Sequence, residues 1–136
     1  MSRKTDMEEL KKQVNEVRFS RMDYLYGEDI FDISKGEDKA TVKIESMINY
    51  VSEEYCISLD EWYAFIDKLY DGLHINKWKR NYRPDDCIFF DGTFWDLKIS
   101  FDGRRKKVCE GNNTFPSNWN KFASLMEKFG KKAKNE

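Results

Sequence analysis

Histidine occurs once in this chain, proline twice and cysteine three times, and each scarcity removes a class of function. His74 has no HxxxH or HExxH partner, so the spacing that holds a zinc ion with two imidazoles is missing. Cys56, Cys87 and Cys109 are odd in number, far apart and without a CxxC pair. They read as reduced cysteines packed as small hydrophobes. No run approaches the ~18 apolar residues that a membrane span needs, and "MSRKTDMEEL" lacks the apolar core of a secretory leader. The expectation is a cytoplasmic protein with no membrane partner. Glycine-rich phosphate cradles are missing too: "DGTFWD" and "EGNN" read as turns, not as GxGxxG or Walker loops. No cofactor is expected.

Charge and aromatic rings are plentiful. The 136 residues are 36% charged and 15% aromatic, a load of rings that argues against disorder, because it offers enough apolar area to offset ordering entropy. The length suits one domain, residues 1–136, with its own core. Charge is laid out unevenly. Residues 1–76 carry 10 Lys/Arg against 17 Asp/Glu, a balance of −7, and residues 77–136 carry 14 against 8, a balance of +6. Such asymmetry marks either a face for a charged partner or two halves that fold against each other and cancel.

Periodicity outlines the elements. Thr5 and Glu8 have capping-box spacing at the start of an N-terminal helical segment, residues 1–14, with a strand after about Gln13. "IFDIS", the turn "KGED" and "KATVKIES" form a hairpin, with Ala40, Val42 and Ile44 on its buried face. Residues 58–71 form the clearest helix: Ser58 and Glu61 cap it, Trp62, Phe65, Ile66, Leu69 and Tyr70 make its core stripe, and Gly72 is its left-handed stop. Trp95, Leu97, Ile99 and Phe101 alternate on a strand that turns at Asp102-Gly103 and returns as "RRKKVCE". Pro116 opens a second helix, residues 116–129, whose stripe is Trp119, Phe122, Leu125, Met126 and Phe129. Gly130 closes it and residues 131–136 are a frayed basic tail. The sum is an α+β domain: an antiparallel sheet of about five strands with two main amphipathic helices packed on one face. Trp95 and Trp119 are expected on facing buried surfaces.

The run "DGTFWDLKISFDGRRKKVCEGNNTFPSNWNKF" resembles a recurring, largely uncharacterised small bacterial α+β domain. In that group a DG-led strand and turn lead to a GxNxxPxxW helix start. The matching positions are Asp91, Gly92, Trp95, Gly103, Gly111, Asn113, Pro116 and Trp119. The resemblance implies a fold over roughly residues 15–129 and no activity. One residue more than the usual pattern between Gly103 and Gly111 implies a bulge in the hairpin.

Chemistry is poorly represented. No nucleophile–base pair stands out, so no catalytic residue is assigned. Asp85, Asp86 and Asp91 are candidates for an acid cluster that binds Mg²⁺, although "DD" before an apolar run reads more readily as a turn. The distinctive surface is basic and aromatic: Lys77, Trp78, Lys79, Arg80, Tyr82 and Arg83 in "NKWKRNYR", with Arg104, Arg105, Lys106 and Lys107 on the hairpin. Cations neutralise phosphates or acidic protein surfaces, and rings stack on bases. The bland alternative is a solvated loop whose Trp78 returns to the core, beside a hairpin whose charges discourage sheet-to-sheet aggregation. The expected function is a non-enzymatic binding protein with a protein partner. By analogy it is an anti-defence accessory or inhibitor of a phage or mobile element, directed at a nucleic-acid-processing complex. Direct nucleic-acid binding is the first alternative and a Mg-dependent hydrolase the second.

Overall fold

Among the described residues, seven strands form one open sheet in the order β4-β3-β2-β1-β6-β7-β5, with three α-helices. The structure, a computed structural model, describes residues 3–23, 27–47, 50–82 and 93–134. Helix α1 (Arg3–Gln13) runs straight into β1 (Val14–Asp23), and β2 (Gly27–Lys35), β3 (Lys39–Ser46) and β4 (Val51–Ser58) follow as an antiparallel meander. Helix α2 (Leu59–Asp67) continues as a π-turn over Lys68–Gly72. After a 3₁₀ turn at Ile75–Lys77 come the two-residue β5 (Asn81–Tyr82), the hairpin of β6 (Thr93–Phe101) and β7 (Lys106–Asn112), and α3 (Trp119–Lys134). Pairing of β6 with β1 closes the two halves into one sheet.

Two strands exceed the five expected. In β4 only Tyr55 and Ile57 turn toward the core among the described side chains, while Ser52, Glu53, Glu54 and Cys56 are exposed. An edge strand has half its hydrogen bonds and little apolar alternation to announce it. The other addition, β5, pairs parallel with β7, so the sheet is mixed rather than antiparallel. α1 brings the helices to three.

The α2 stripe is buried as its spacing requires: Trp62, Phe65, Ile66, Leu69 and Tyr70 all lie in the core. The Ser58 side chain accepts a hydrogen bond from the Glu61 amide at 3.1 Å and caps the helix. Gly72 is not the left-handed stop. The positive φ belongs to His74 (φ 51), two residues on, because the π-turn carries the helix past Asp67 first. α3 also starts later than expected, at Trp119. Pro116 lies in the preceding turn and accepts the Trp119 amide at 3.1 Å. The helical backbone runs past Gly130 to Lys134, into the segment read as a tail. Thr5 falls inside α1 and so is not its N-cap.

Lys11 ties α1 to α2. Its ammonium, 5% exposed, meets Glu8 at 2.8 Å, Asp71 at 2.9 Å and Asp67 at 3.0 Å. The Glu8 hydrogen bond and the two aspartates raise its pKa well above the ordinary 10.5, against the opposing effect of burial. The contribution is therefore complete below about pH 10 and is lost only as strong alkali removes the proton. Lys11→Met is expected to cost about 1–2 kcal/mol in urea unfolding at pH 7, since the three carboxylates are more than half exposed and their attraction is screened.

The resemblance motif works as a folding device. Trp95 is 3% exposed and its indole nitrogen donates to the Thr114 carbonyl at 3.0 Å. Asn113 adopts the left-handed conformation (φ 55), its side-chain oxygen accepts the Thr93 amide at 2.8 Å, and its own amide donates to the Thr93 carbonyl at 2.9 Å. Trp119 closes on Trp95 with ring centroids 4.8 Å apart. Gly103 supplies the positive φ (80) of the hairpin turn. The expected hairpin bulge does not occur: β6 and β7 pair in unbroken register, and the irregularity falls between Val14 and Glu16 of β1. Asp91 and Gly92 lie outside the described residues.

Candidate macromolecule-binding surface

Chain order places the acidic half of the sequence in β1–β4 and the basic half in β6, β7 and β5, at opposite ends of the sheet. The two halves meet where β1 pairs with β6. Among the described residues, α3 of the basic half also contacts β3 and β4.

At the basic end the two segments singled out in the sequence meet. The Lys107 ammonium donates to the carbonyls of Trp78 at 3.0 Å and Asn76 at 3.4 Å. The Glu110 amide donates to the Arg80 carbonyl at 2.9 Å, and Asn81 and Tyr82 extend that contact as β5. Asn118, just before α3, holds the same loop from the other side. Its nitrogen donates to the Leu73 carbonyl at 2.7 Å and its oxygen accepts from the Trp78 indole at 3.1 Å. Residues 73–82 are therefore bonded to both β7 and the start of α3.

The ten predicted surface residues separate accordingly. Lys77, Lys79, Arg80, Arg105 and Lys106 are exposed, with the Arg105 guanidinium 5.6 Å from the Phe101 ring centroid. Lys107 is half-buried and structural. Trp78 is 6% exposed and packs edge-on to Phe122 (5.1 Å) and Trp95 (5.9 Å), so it is a core residue and not a contact anchor. Tyr82 is half-buried against Trp95, and its hydroxyl accepts the Lys79 amide at 2.9 Å. Arg83 and the Arg104 side chain lie outside the described residues, as do Asp85, Asp86, Asp91 and Cys87. Trp78→Ala is expected to lower the melting temperature rather than to speed release of a partner; an unchanged melt would return the ring to the surface.

His74 is exposed at the start of the 3₁₀ turn, and among the described residues no group of three or more His, Cys, Asp or Glu is placed to hold a metal ion. Cys109 is buried, which pushes its thiol pKa up and makes it a poor nucleophile, whereas Cys56 is exposed on β4. No helix among the described residues is long and apolar enough to cross a membrane.

The strand face opposite the core carries a ladder of alternating charge, Glu54–Lys43–Asp32–Arg18, across β4, β3, β2 and β1, extended by Lys98 on β6. Within it, partial burial and then the nearby Glu16 push Asp32 up to about 6, while Arg18 and Lys43 pull it down. The folded chain thus holds this proton more tightly than the unfolded chain does. Ionised Asp32 opposes folding above about pH 6, and the opposition fades as pH falls toward 4. Asp32→Asn is expected to raise the melting temperature at pH 7 by an increment that vanishes near pH 4. A gain independent of pH would assign the effect to something other than this titration.

No family model matches the chain, and none of the curated proteins matches it. The resemblance of the C-terminal run therefore stands on its own residues, of which Trp95, Gly103, Gly111, Asn113 and Trp119 serve the packing and turns of the fold.

Proposed function

We propose that this is a binding module that recognises a macromolecule, and in the first instance a protein, through the exposed cations of the β5–β7 edge. One observation carries the reading. Lys77, Lys79, Arg80, Arg105 and Lys106 are exposed on two segments that Lys107 and the Arg80–Glu110 backbone bond fasten into one unit. A fixed array of like charges presents a defined surface, whereas free lysines on a loop do not. With Trp78 and Tyr82 turned inward, the rings that would stack on bases are withdrawn, which favours an acidic protein surface over base-reading of nucleic acid. Compact charge-rich chains of this kind serve as accessory or inhibitory proteins of phages and mobile elements, and an anti-defence inhibitor of a nucleic-acid-processing complex is the proposed role by that analogy.

The test is a variant with Lys79, Arg80, Arg105 and Lys106 all changed to Glu, with circular dichroism as the folding control. Exposed substitutions change stability by only about 0.5 kcal/mol each, so the variant should fold. A stoichiometric complex recovered with the parent should form at least about tenfold more slowly with the variant, as expected when charge steers encounter. Equal association would move the interface elsewhere, first to the acidic strand β2 and the turn after it. Titration with a single-stranded oligonucleotide at low and high salt tests the alternative, since direct phosphate contact makes affinity fall steeply with salt.

A further inference from the structure

A groove of about 500 Å³ runs between the π-turn and α3 and is open to solvent. Lys68, Gly72 and Leu73 form one wall, and Lys121, Leu125 and Lys128 form the other. Leu73 is buried and Leu125 half-buried, so the two leucines give the groove an apolar floor. The three lysines are exposed, and among the described residues no carboxylate lines the groove. Lys11, Arg18, Arg21 and Lys43 all have acidic partners, whereas none of these three lysines forms an ion pair among the described residues. Their spacing is regular. Lys121, Leu125 and Lys128 stand at i, i+4 and i+7 of α3, and therefore on one face. A rise of ~1.5 Å per residue puts the two lysines about 10 Å apart along the axis, with the leucine between them.

We propose that this groove docks an acidic amphipathic helix of a partner protein. Charge and period together select that occupant. A helix with carboxylates seven residues apart and leucine between them repeats the spacing of the α3 wall with the opposite charge, because its own rise is the same. Its apolar side chains lie on Leu73 and Leu125, its carboxylates meet Lys121 and Lys128, and Lys68 closes on it from the opposite wall. The volume falls within the roughly 300–1,000 Å³ of ligand clefts. The open side favours a helix over a small anionic amphiphile: a helix leaves its polar face in water, whereas an acyl chain there would keep part of its apolar surface wet. The site goes beyond the reading of the β5–β7 edge and uses none of its five exposed cations, so the two stand or fall separately.

The probe is a synthetic alanine-based helical peptide with Glu at i and i+7 and Leu at i+3 and i+4, a pattern that fits in either direction. It is labelled for fluorescence anisotropy and titrated with the whole chain at low salt. Saturable binding is expected, with a dissociation constant below about 1 mM. Replacing both leucines of the peptide by alanine should weaken binding at least about tenfold, for the apolar area left out of the groove. Lys121→Glu combined with Lys128→Glu should invert the preference, so that a peptide with Lys in place of its two Glu binds and the original does not. Gly72→Phe is the second variant. Its φ is not left-handed and a Cβ there meets no atom within 4 Å, so it should fold as the parent does by circular dichroism. The ring would occupy the groove, and the peptide should bind at least about tenfold more weakly. No saturable binding, equal affinity for the alanine form of the peptide, or an unchanged affinity in folded Gly72→Phe would each overturn the docking site. Dodecanoate displacing the peptide at a lower concentration than unlabelled peptide does would also overturn it, in favour of an acyl chain.

Discussion

Trp95→Ala should remove about 3–5 kcal/mol of stability, the range found for truncating a large buried ring. For a domain whose total is about 5–15 kcal/mol, that is a large share. Trp95 is 3% exposed and packs against three other rings: Trp119 at 4.8 Å, Tyr82 at 5.7 Å and Trp78 at 5.9 Å between centroids. Its loss opens a cavity at the junction of β6, the β5 loop and α3, and frees the Thr114 carbonyl from its indole donor. Trp119→Ala should cost less, because that ring is only partly buried, and the double variant less than the sum, because the two rings share a contact. Urea unfolding followed by circular dichroism measures all three, and in thermal melts the Trp95 variant should fall by on the order of 10 °C or more. A Trp95 variant that melts with the parent would remove the central role of this cluster.

The parts of the fold legible in the sequence are those where one side of an element is buried and the other is wet. The α2 stripe, the alternation of Ala40, Val42 and Ile44, and the Trp95–Phe101 strand were all marked this way, and the structure buries them. The helix-to-strand change at Gln13 was readable because the spacing of apolar residues shifts from helical to alternating there. β4 was hidden because an edge strand buries few side chains, and β5 because two residues set no period. The helix ends were misplaced for a related reason. Gly72 and Pro116 are the residue types that usually end or begin helices, but the actual boundaries are set by a π-turn and by Asn118, whose side chain bonds Leu73 and Trp78 far away in sequence.

The candidate surface was half legible. A run of cations interleaved with rings looks alike whether the rings face solvent or the core, since residue type sets the hydrophobicity and only tertiary contacts set the direction. Trp78 and Tyr82 were thus grouped with the exposed cations, and the structure separates them. Tyr70 belongs to a core stripe that the spacing predicts, whereas the absence of a hydrogen-bond partner for its hydroxyl among the described residues depends on what surrounds it in three dimensions.

Gly111→Ala should be as damaging as the loss of Trp95 itself, although it adds a single methyl group. Gly111 is buried on β7 directly opposite Trp95, and its φ lies in a region open to any residue, so the backbone itself permits alanine. The obstacle is space. A Cβ there would lie 2.2 Å from the Trp95 indole nitrogen and 2.6 Å from both the adjacent ring carbon and the Thr114 carbonyl oxygen. The carbonyl belongs to the backbone and the indole is bonded to it, so neither gives way without breaking the Trp95–Thr114 hydrogen bond. Overpacking costs about 1–3 kcal/mol and the lost hydrogen bond about 0.5–1.5 more, with displacement of Trp78, Tyr82 and Trp119 to follow. An expected total of about 3–5 kcal/mol can be checked by a double-mutant cycle. Trp95→Leu removes the ring atoms that the new methyl meets and leaves only the Thr114 contact. Gly111→Ala should therefore cost at least about 1 kcal/mol less in the Trp95→Leu background than in the parent. Strict additivity would show that the glycine is required for something other than room for this tryptophan.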